Sequence, residues 1–197
     1  MSAATGTAKK QGLLYISPLA PLPLLCFFLF SHDLTLPCAL LAAALHECGH
    51  LIALRLLGGR VRRIAIYPFG GEIQTDGKLF SYPQSMFLSF AGIAVNLACA
   101  PLAFSSLPQF FVLFGRGSLA LALFNLLPVR RLDGGDILFN FLSLFLLPAR
   151  AEAVVRVTSV LCTGALLALI VYGCLRSLFN PMLVLLGVYL LFCCFSR

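Results

Sequence analysis

The stretch Leu45-His46-Glu47-Cys48-Gly49-His50-Leu51 places two imidazoles and a carboxylate inside a run of otherwise apolar residues. If this run is helical, His46 and His50 are four residues apart and project from one face, where both can bind one zinc ion. Glu47 directly follows the first histidine, and the HExxH pattern supplies two zinc ligands and a general base. The motif alone leaves open a soluble metalloenzyme, a buried histidine pair and an ion path.

The composition around this motif is that of a membrane protein. Of 197 residues, 60% are hydrophobic and 11% are charged, and the mean hydropathy is +1.00, outside the usual range of soluble domains. A transmembrane helix needs about 20 apolar residues. The stretches near that length are Leu13–Phe30, Pro37–Leu57, Pro83–Leu107, Val157–Leu175, Leu178–Phe195 and, with Arg116 inside it, Gln109–Pro128. We therefore predict an all-α polytopic membrane protein with about six transmembrane helices, forming a single domain over residues 1–197.

The net charge of +7 arises mainly from basic residues in the short connections between these stretches. This distribution is typical of the positive-inside rule, and it predicts cytoplasmic termini and no nucleic-acid partner. Residues 1–12 are expected to be a flexible cytoplasmic tail. Pro18, Pro21 and Pro23 interrupt the first apolar run, so we expect it to be retained and not cleaved as a signal peptide. The eight cysteines contain no CxxC pair, and core or lipid-facing roles are expected for them.

A small β element is predicted at the membrane surface after the second apolar stretch. Residues 60–74 contain β-branched and aromatic side chains at strand spacing, interrupted by Pro68-Phe69-Gly70-Gly71. The segment is too short and too charged to cross a bilayer. A structural hairpin and a free edge that pairs with an extended substrate segment both fit the pattern.

The second informative segment begins at Asn125 and ends at Asp136. Pro128 stops a helix and Gly134-Gly135 permits unusual backbone angles, so Asp133 lies in irregular chain near membrane depth. Irregular backbone at that depth is tolerated where it is buried in protein or lines a watery cavity. Asp133 is therefore the candidate third zinc ligand beside His46 and His50, with Asp136 as the competing choice. Three protein ligands leave the fourth position open, as in catalytic zinc sites.

The remaining polar groups at membrane depth are two asparagines. With one zinc ion per chain, Glu47 would act as general base, and Asn96 or Asn125 could hold the substrate carbonyl oxygen or backbone. Bracing of neighbouring helices by hydrogen bonds explains both asparagines equally well.

These motifs resemble those of the site-2 protease family of intramembrane zinc metalloproteases. His46-Glu47-Cys48-Gly49-His50 resembles the family's HExGH. Ala91-Gly92 with Asn96 is similar to AGPxxN, and Asn125-Leu126-Leu127-Pro128 followed by Leu132-Asp133-Gly134-Gly135 is similar to NxxPxxxLDG. Pro68-Phe69-Gly70-Gly71 resembles the PFGG segment of the branch that includes the stage IV sporulation protease. The similarity covers about residues 37–147, which we take as the catalytic core.

The resemblance implies a six-span fold in the bacterial cell membrane, with zinc on His46, His50 and Asp133 and Glu47 as base. It also implies cleavage of membrane-associated or transmembrane protein substrates, with a sporulation or envelope-signalling factor as one class. Ile93 and Arg131 stand where the family often has proline. No CBS or PDZ domain is apparent, so regulation would come from a membrane partner or from substrate presentation.

Two other functions compete with this interpretation. A catalytically silent membrane scaffold or chaperone of the same fold would not need Glu47, which is present. A metal transporter would need polar residues repeated along several spans, and the sequence contains almost none outside the site.

Overall fold

The computed structural model of the chain describes residues 14–16, 34–67, 70–75, 79–176 and 187–191. Five helices dominate these ranges. They are α1 (Thr35–Leu56), α2 (Tyr82–Cys99), α3 (Gln109–Asn125), α4 (Asp133–Leu142) and α5 (Pro148–Leu175). A 3-10 helix at Ala100–Phe104 extends α2, and residues 187–191 are also helical.

Within the described ranges, three helical segments are long and apolar enough to cross a membrane: Thr35–Leu56, Tyr82–Phe104 and Pro148–Leu175. They correspond to three of the predicted spans. Helix α3 is apolar but has only 17 residues. The total of about six spans stays a prediction, because most of Leu13–Phe30 and of Leu178–Phe195 lies outside the described residues.

Two predicted boundaries were wrong. Helix α5 begins at Pro148, nine residues before the predicted Val157. Proline suits the first turn of a helix, and an ion pair of 3.5 Å between Arg156 and Glu152 supports the charged turn that follows. The first predicted span begins with a strand, since residues 14–16 pair with a neighbouring strand instead of forming helix.

A three-stranded sheet combines one strand before α1 with two strands after it. Strand β1 (Leu14–Ile16) pairs in parallel with β2 (Val61–Tyr67), and β2 pairs antiparallel with β3 (Gly70–Thr75). The register of the hairpin joins Ile64 to Ile73 and Tyr67 to Gly70. Pro68 and Phe69 of the predicted turn lie outside the described residues.

The helices bury small apolar clusters and leave large apolar side chains outside. Cys38 and Ala42 of α1 pack against Phe114 of α3. In contrast, Ile52, Leu161 and Leu175 are 58%, 67% and 80% exposed. Such surface is unfavourable in water but suits contact with lipid tails, so this distribution agrees with a membrane environment.

Candidate metal centre

Helix α1 presents both histidines of the HExxH motif to the same neighbour. His46 is buried and His50 is half-buried, and their Nε2 atoms lie 3.1 Å apart. This proximity follows from their four-residue spacing on a regular helix, as predicted. Cys48, two residues after His46, is exposed.

The chain returns to these histidines at the start of α4. Gly134 and Gly135 let the first turn approach the preceding loop closely. A Cβ at Gly134 would lie 2.3 Å from the carbonyl oxygen of Leu126, and a Cβ at Gly135 would lie 2.2 Å from that of Val129. Leu132, 3% exposed, anchors the turn in a cluster with Val129 and Leu190. Asp133 thereby projects from a fixed backbone.

The loop before α4 is also held by α5. The backbone N–H of Arg130 donates to Oγ of Ser159 over 2.9 Å, and Oγ of Ser159 in turn lies 2.6 Å from the carbonyl oxygen of Val155. Arg131 has a φ of 69°, a left-handed conformation that a proline cannot adopt.

Three ligand atoms converge between α1 and α4. Oδ2 of Asp133 lies 3.0 Å from Nε2 of His46 and 3.4 Å from Nε2 of His50. The three residues form a group that could hold a metal ion. Asp136 is exposed and is not part of this group.

The donor chemistry of the group fits a cation. Nδ1 of His50 lies 2.9 Å from the carbonyl oxygen of Leu88, and a carbonyl only accepts, so Nδ1 is the donor. In the neutral ring, Nε2 then carries a lone pair directed at the Asp133 carboxylate. Oδ2 of Asp133 is buried without a hydrogen-bond partner besides the two ring nitrogens. Two facing acceptors repel each other unless a cation lies between them.

The spacing of the three atoms also fits zinc. Tetrahedral zinc with bonds of about 2.0–2.1 Å places its ligand atoms roughly 3.3 Å apart. The three separations here are 3.0, 3.1 and 3.4 Å. A triangle of this size leaves one side of the metal open.

Glu47 lies beside this group. Its carboxyl is partly buried and interacts electrostatically with His46, His50 and Asp133. A carboxylate next to a metal position, and not among its ligands, has the arrangement expected of a general base.

Helix α2 forms the wall behind the histidines. It supplies the Leu88 carbonyl to His50 and the Asn96 amide to His46, with Nδ2 of Asn96 lying 3.3 Å from Nδ1 of His46. Gly92 lies between these two contacts, where a Cβ would be 2.5 Å from Nε2 of His50 and 2.8 Å from Cε1 of His46. The rings thus rest directly on the α2 backbone.

The two asparagines occupy different settings. Asn96 is 0% exposed and contacts His46. Asn125 is half-buried at the end of α3, and its Nδ2 donates to the carbonyl oxygen of Leu121. The substrate-binding role of both asparagines stays a prediction.

Sequence reasoning did not identify Leu88, Gly92 or Ser159 as parts of the site. Leu88 acts through its backbone, so its side chain carries no signal. Gly92 was named only as part of a motif with Asn96, and its packing partner could not be read from the sequence. Ser159 lies in an apolar stretch without ionisable residues, which gave no indication of a contact with the loop before Asp133.

Comparison with known proteins points to one family. Residues 100–167 match the family model of Peptidase family M50. The stage IV sporulation protein FB of Bacillus subtilis is 32% identical over 123 residues, which are 58% of this chain and 42% of that protein. A candidate zinc metalloprotease of Synechocystis sp. is 32% identical over 102 residues, which are 47% of this chain and 27% of that protein. The matched regions therefore span less than half the length of these relatives.

The fold has a counterpart among solved structures. The site-2 protease from Methanocaldococcus jannaschii superimposes with a TM-score of 0.67 and 19% sequence identity. The superposition covers 92% of this chain and 88% of that structure. At this identity the similarity establishes a shared fold.

Proposed function

We propose that this chain belongs to the site-2 protease family within Peptidase family M50, to which its sequence and fold are similar, and that it is an intramembrane zinc metalloprotease that hydrolyses peptide bonds of membrane-associated or transmembrane proteins. The observation that supports this most directly is the convergence of His46, His50 and Asp133, with Glu47 alongside, in a chain of apolar helices.

In this proposal His46, His50 and Asp133 hold one zinc ion. Bound zinc would supply Lewis-acid chemistry, polarising a carbonyl and lowering the pKa of a water toward about 7. Glu47 accepts the proton of the attacking water and later gives it to the leaving amine, as a general base and then acid. Asn125, beside the loop that carries Asp133, remains the candidate for holding the substrate carbonyl oxygen.

The surroundings of the site suit a substrate that is itself in the membrane. Helices α1 and α5 expose large apolar side chains, so an apolar segment can approach them without leaving the lipid. The similarity to a sporulation protein makes a sporulation or envelope-signalling factor one candidate substrate. We also propose a multi-pass location in the bacterial cell membrane with cytoplasmic termini, and a membrane partner as regulator.

The test is co-expression of the chain with a panel of single-span membrane proteins tagged on their cytoplasmic side. Glu47→Gln keeps the size of the side chain but removes the base. We expect this variant to retain zinc and to lose at least about 100-fold in cleavage rate. Zinc content is measured on the purified proteins.

The matched control is Glu152→Gln, the same change at an exposed carboxylate that pairs with Arg130 and Arg156. It is expected to cleave as the wild type does. Equal cleavage by wild type and zinc-loaded Glu47→Gln would contradict the proposed mechanism. A wild type that binds zinc but cleaves none of the panel would favour the silent scaffold.

A further inference from the structure

Each histidine of the metal centre has a hydrogen-bonding partner behind it, on α2. For His50 this partner is the carbonyl oxygen of Leu88, 2.9 Å from Nδ1. For His46 it is the side-chain amide of Asn96, with Nδ2 at 3.3 Å from Nδ1. Both Nε2 atoms point the other way, toward Asp133.

A neutral histidine that binds a metal through Nε2 carries its proton on Nδ1, and that proton needs an acceptor. The Leu88 carbonyl meets this need for His50. For His46, the acceptor available in the same place is Oδ1 of Asn96, because an amide nitrogen can only donate.

The amide of Asn96 has what this role requires. Asn96 is 0% exposed, and among the described residues its Oδ1 has no hydrogen-bond partner while Nδ2 faces the ring. The two ends of an amide have nearly the same size, so a half-turn about its last bond exchanges donor and acceptor within the same volume.

We propose that Asn96 is a positioning residue for His46, and that its Oδ1 accepts the Nδ1 proton of His46 when zinc is bound at Nε2. This inference rests on the proposed zinc function. It gives Asn96 a role in holding the zinc ligand His46 instead of a role in binding the substrate. Nδ2 of Asn96 lies 3.3 Å from Nδ1 of His46, and Nε2 of the same ring lies 3.0 Å from Oδ2 of Asp133. A half-turn of the amide therefore brings Oδ1 to Nδ1 without any change in the orientation of the ring.

The experiment measures zinc affinity of the full-length chain in detergent by competition with a chromogenic chelator. Asn96→Leu removes the hydrogen bond at similar volume and is expected to weaken zinc binding about 10- to 100-fold. Asn96→Asp retains an acceptor and is expected to bind zinc nearly as the wild type does. The control is Thr163→Val, which changes a buried hydroxyl of α5 that has no hydrogen-bond partner, and it should leave the affinity unchanged.

A second measurement needs no variant. Nitrogen-15 NMR of labelled histidines in the zinc-loaded wild type should place the proton of His46 on Nδ1. A proton on Nε2 would refute ligation of zinc by that atom, and with it the role of Asn96. Wild-type affinity in Asn96→Leu would overturn the role of Asn96 while leaving the zinc site intact. Equal weakening in Asn96→Leu and Asn96→Asp would also overturn it. A wild type that binds no zinc would refute the metal centre itself.

Discussion

Gly92 of α2 lies directly against His50 of α1: a Cβ atom at Gly92 would be 2.5 Å from Nε2 of His50. The same atom would be 2.8 Å from Cε1 of His46. The two metal-binding rings therefore occupy space that any side chain at this position would need. The absence of a side chain at Gly92 is thus a condition for the histidines to reach Asp133.

We expect Gly92→Ala to displace His50 and to lower zinc affinity by more than about tenfold, because the ligand atom itself would have to move. Equilibrium zinc titration of the purified protein measures the effect. Gly164→Ala is the matched control, since nothing lies within 4 Å of a Cβ at that helical position. Zinc affinity in Gly92→Ala equal to that of the control would contradict the close packing of the rings on α2.

The choice between the two aspartates of α4 gives a second prediction. Asp133→Ala removes an oxygen that lies 3.0 Å from Nε2 of His46, and it should reduce zinc affinity by more than about 100-fold. Asp136→Ala alters an exposed carboxylate outside the ligand group and should retain zinc. Metal analysis of both variants after dialysis distinguishes them. Loss of zinc in Asp136→Ala alone would show that the ligand assignment is wrong.

A third prediction concerns the left-handed backbone of Arg131. Arg131→Pro cannot adopt a φ of 69°, so it should distort the loop before Asp133 and abolish zinc binding. Arg131→Gly accepts this angle and should keep wild-type affinity, with stability changed by no more than about 1 kcal/mol. Arg131→Ala reports separately on loss of the side chain. Normal zinc binding by Arg131→Pro would contradict the loop conformation.

The hydrogen bond from Arg130 to Ser159 leads to a fourth prediction. Ser159→Ala leaves the backbone N–H of Arg130 without its acceptor, which should lower the free energy of unfolding by about 1–3 kcal/mol. Chemical denaturation in detergent, followed by circular dichroism, measures this change. Ser143→Ala serves as control because its buried hydroxyl has no partner. Similar stability of the two variants would mean that Ser159 does not anchor the loop.

The sequence alone was sufficient for the membrane class, for the helix that carries His46, Glu47 and His50, and for naming Asp133 as the residue that meets them. The first two features are local: hydropathy over about 20 residues predicts a span, and a four-residue spacing places two rings on one face. Asp133 was identified from the irregular, glycine-flanked chain around it and from its resemblance to a family motif. The short strand at 14–16 and the early start of α5 were not predicted, because each depends on a partner distant along the chain or on an ion pair.

The surroundings of the ligands were decided only by the tertiary structure. Leu88 contributes a backbone carbonyl, Gly92 contributes free volume, and Asn96 contributes an amide whose partner lies 50 residues away. Gly92 and Asn96 belong to a recognisable motif along the chain, but the partner of each of these three contributions is defined only where α1 and α2 cross. By itself, the HExxH motif determines which atoms can bind a metal. The packing of α2 against this motif determines how those atoms are oriented.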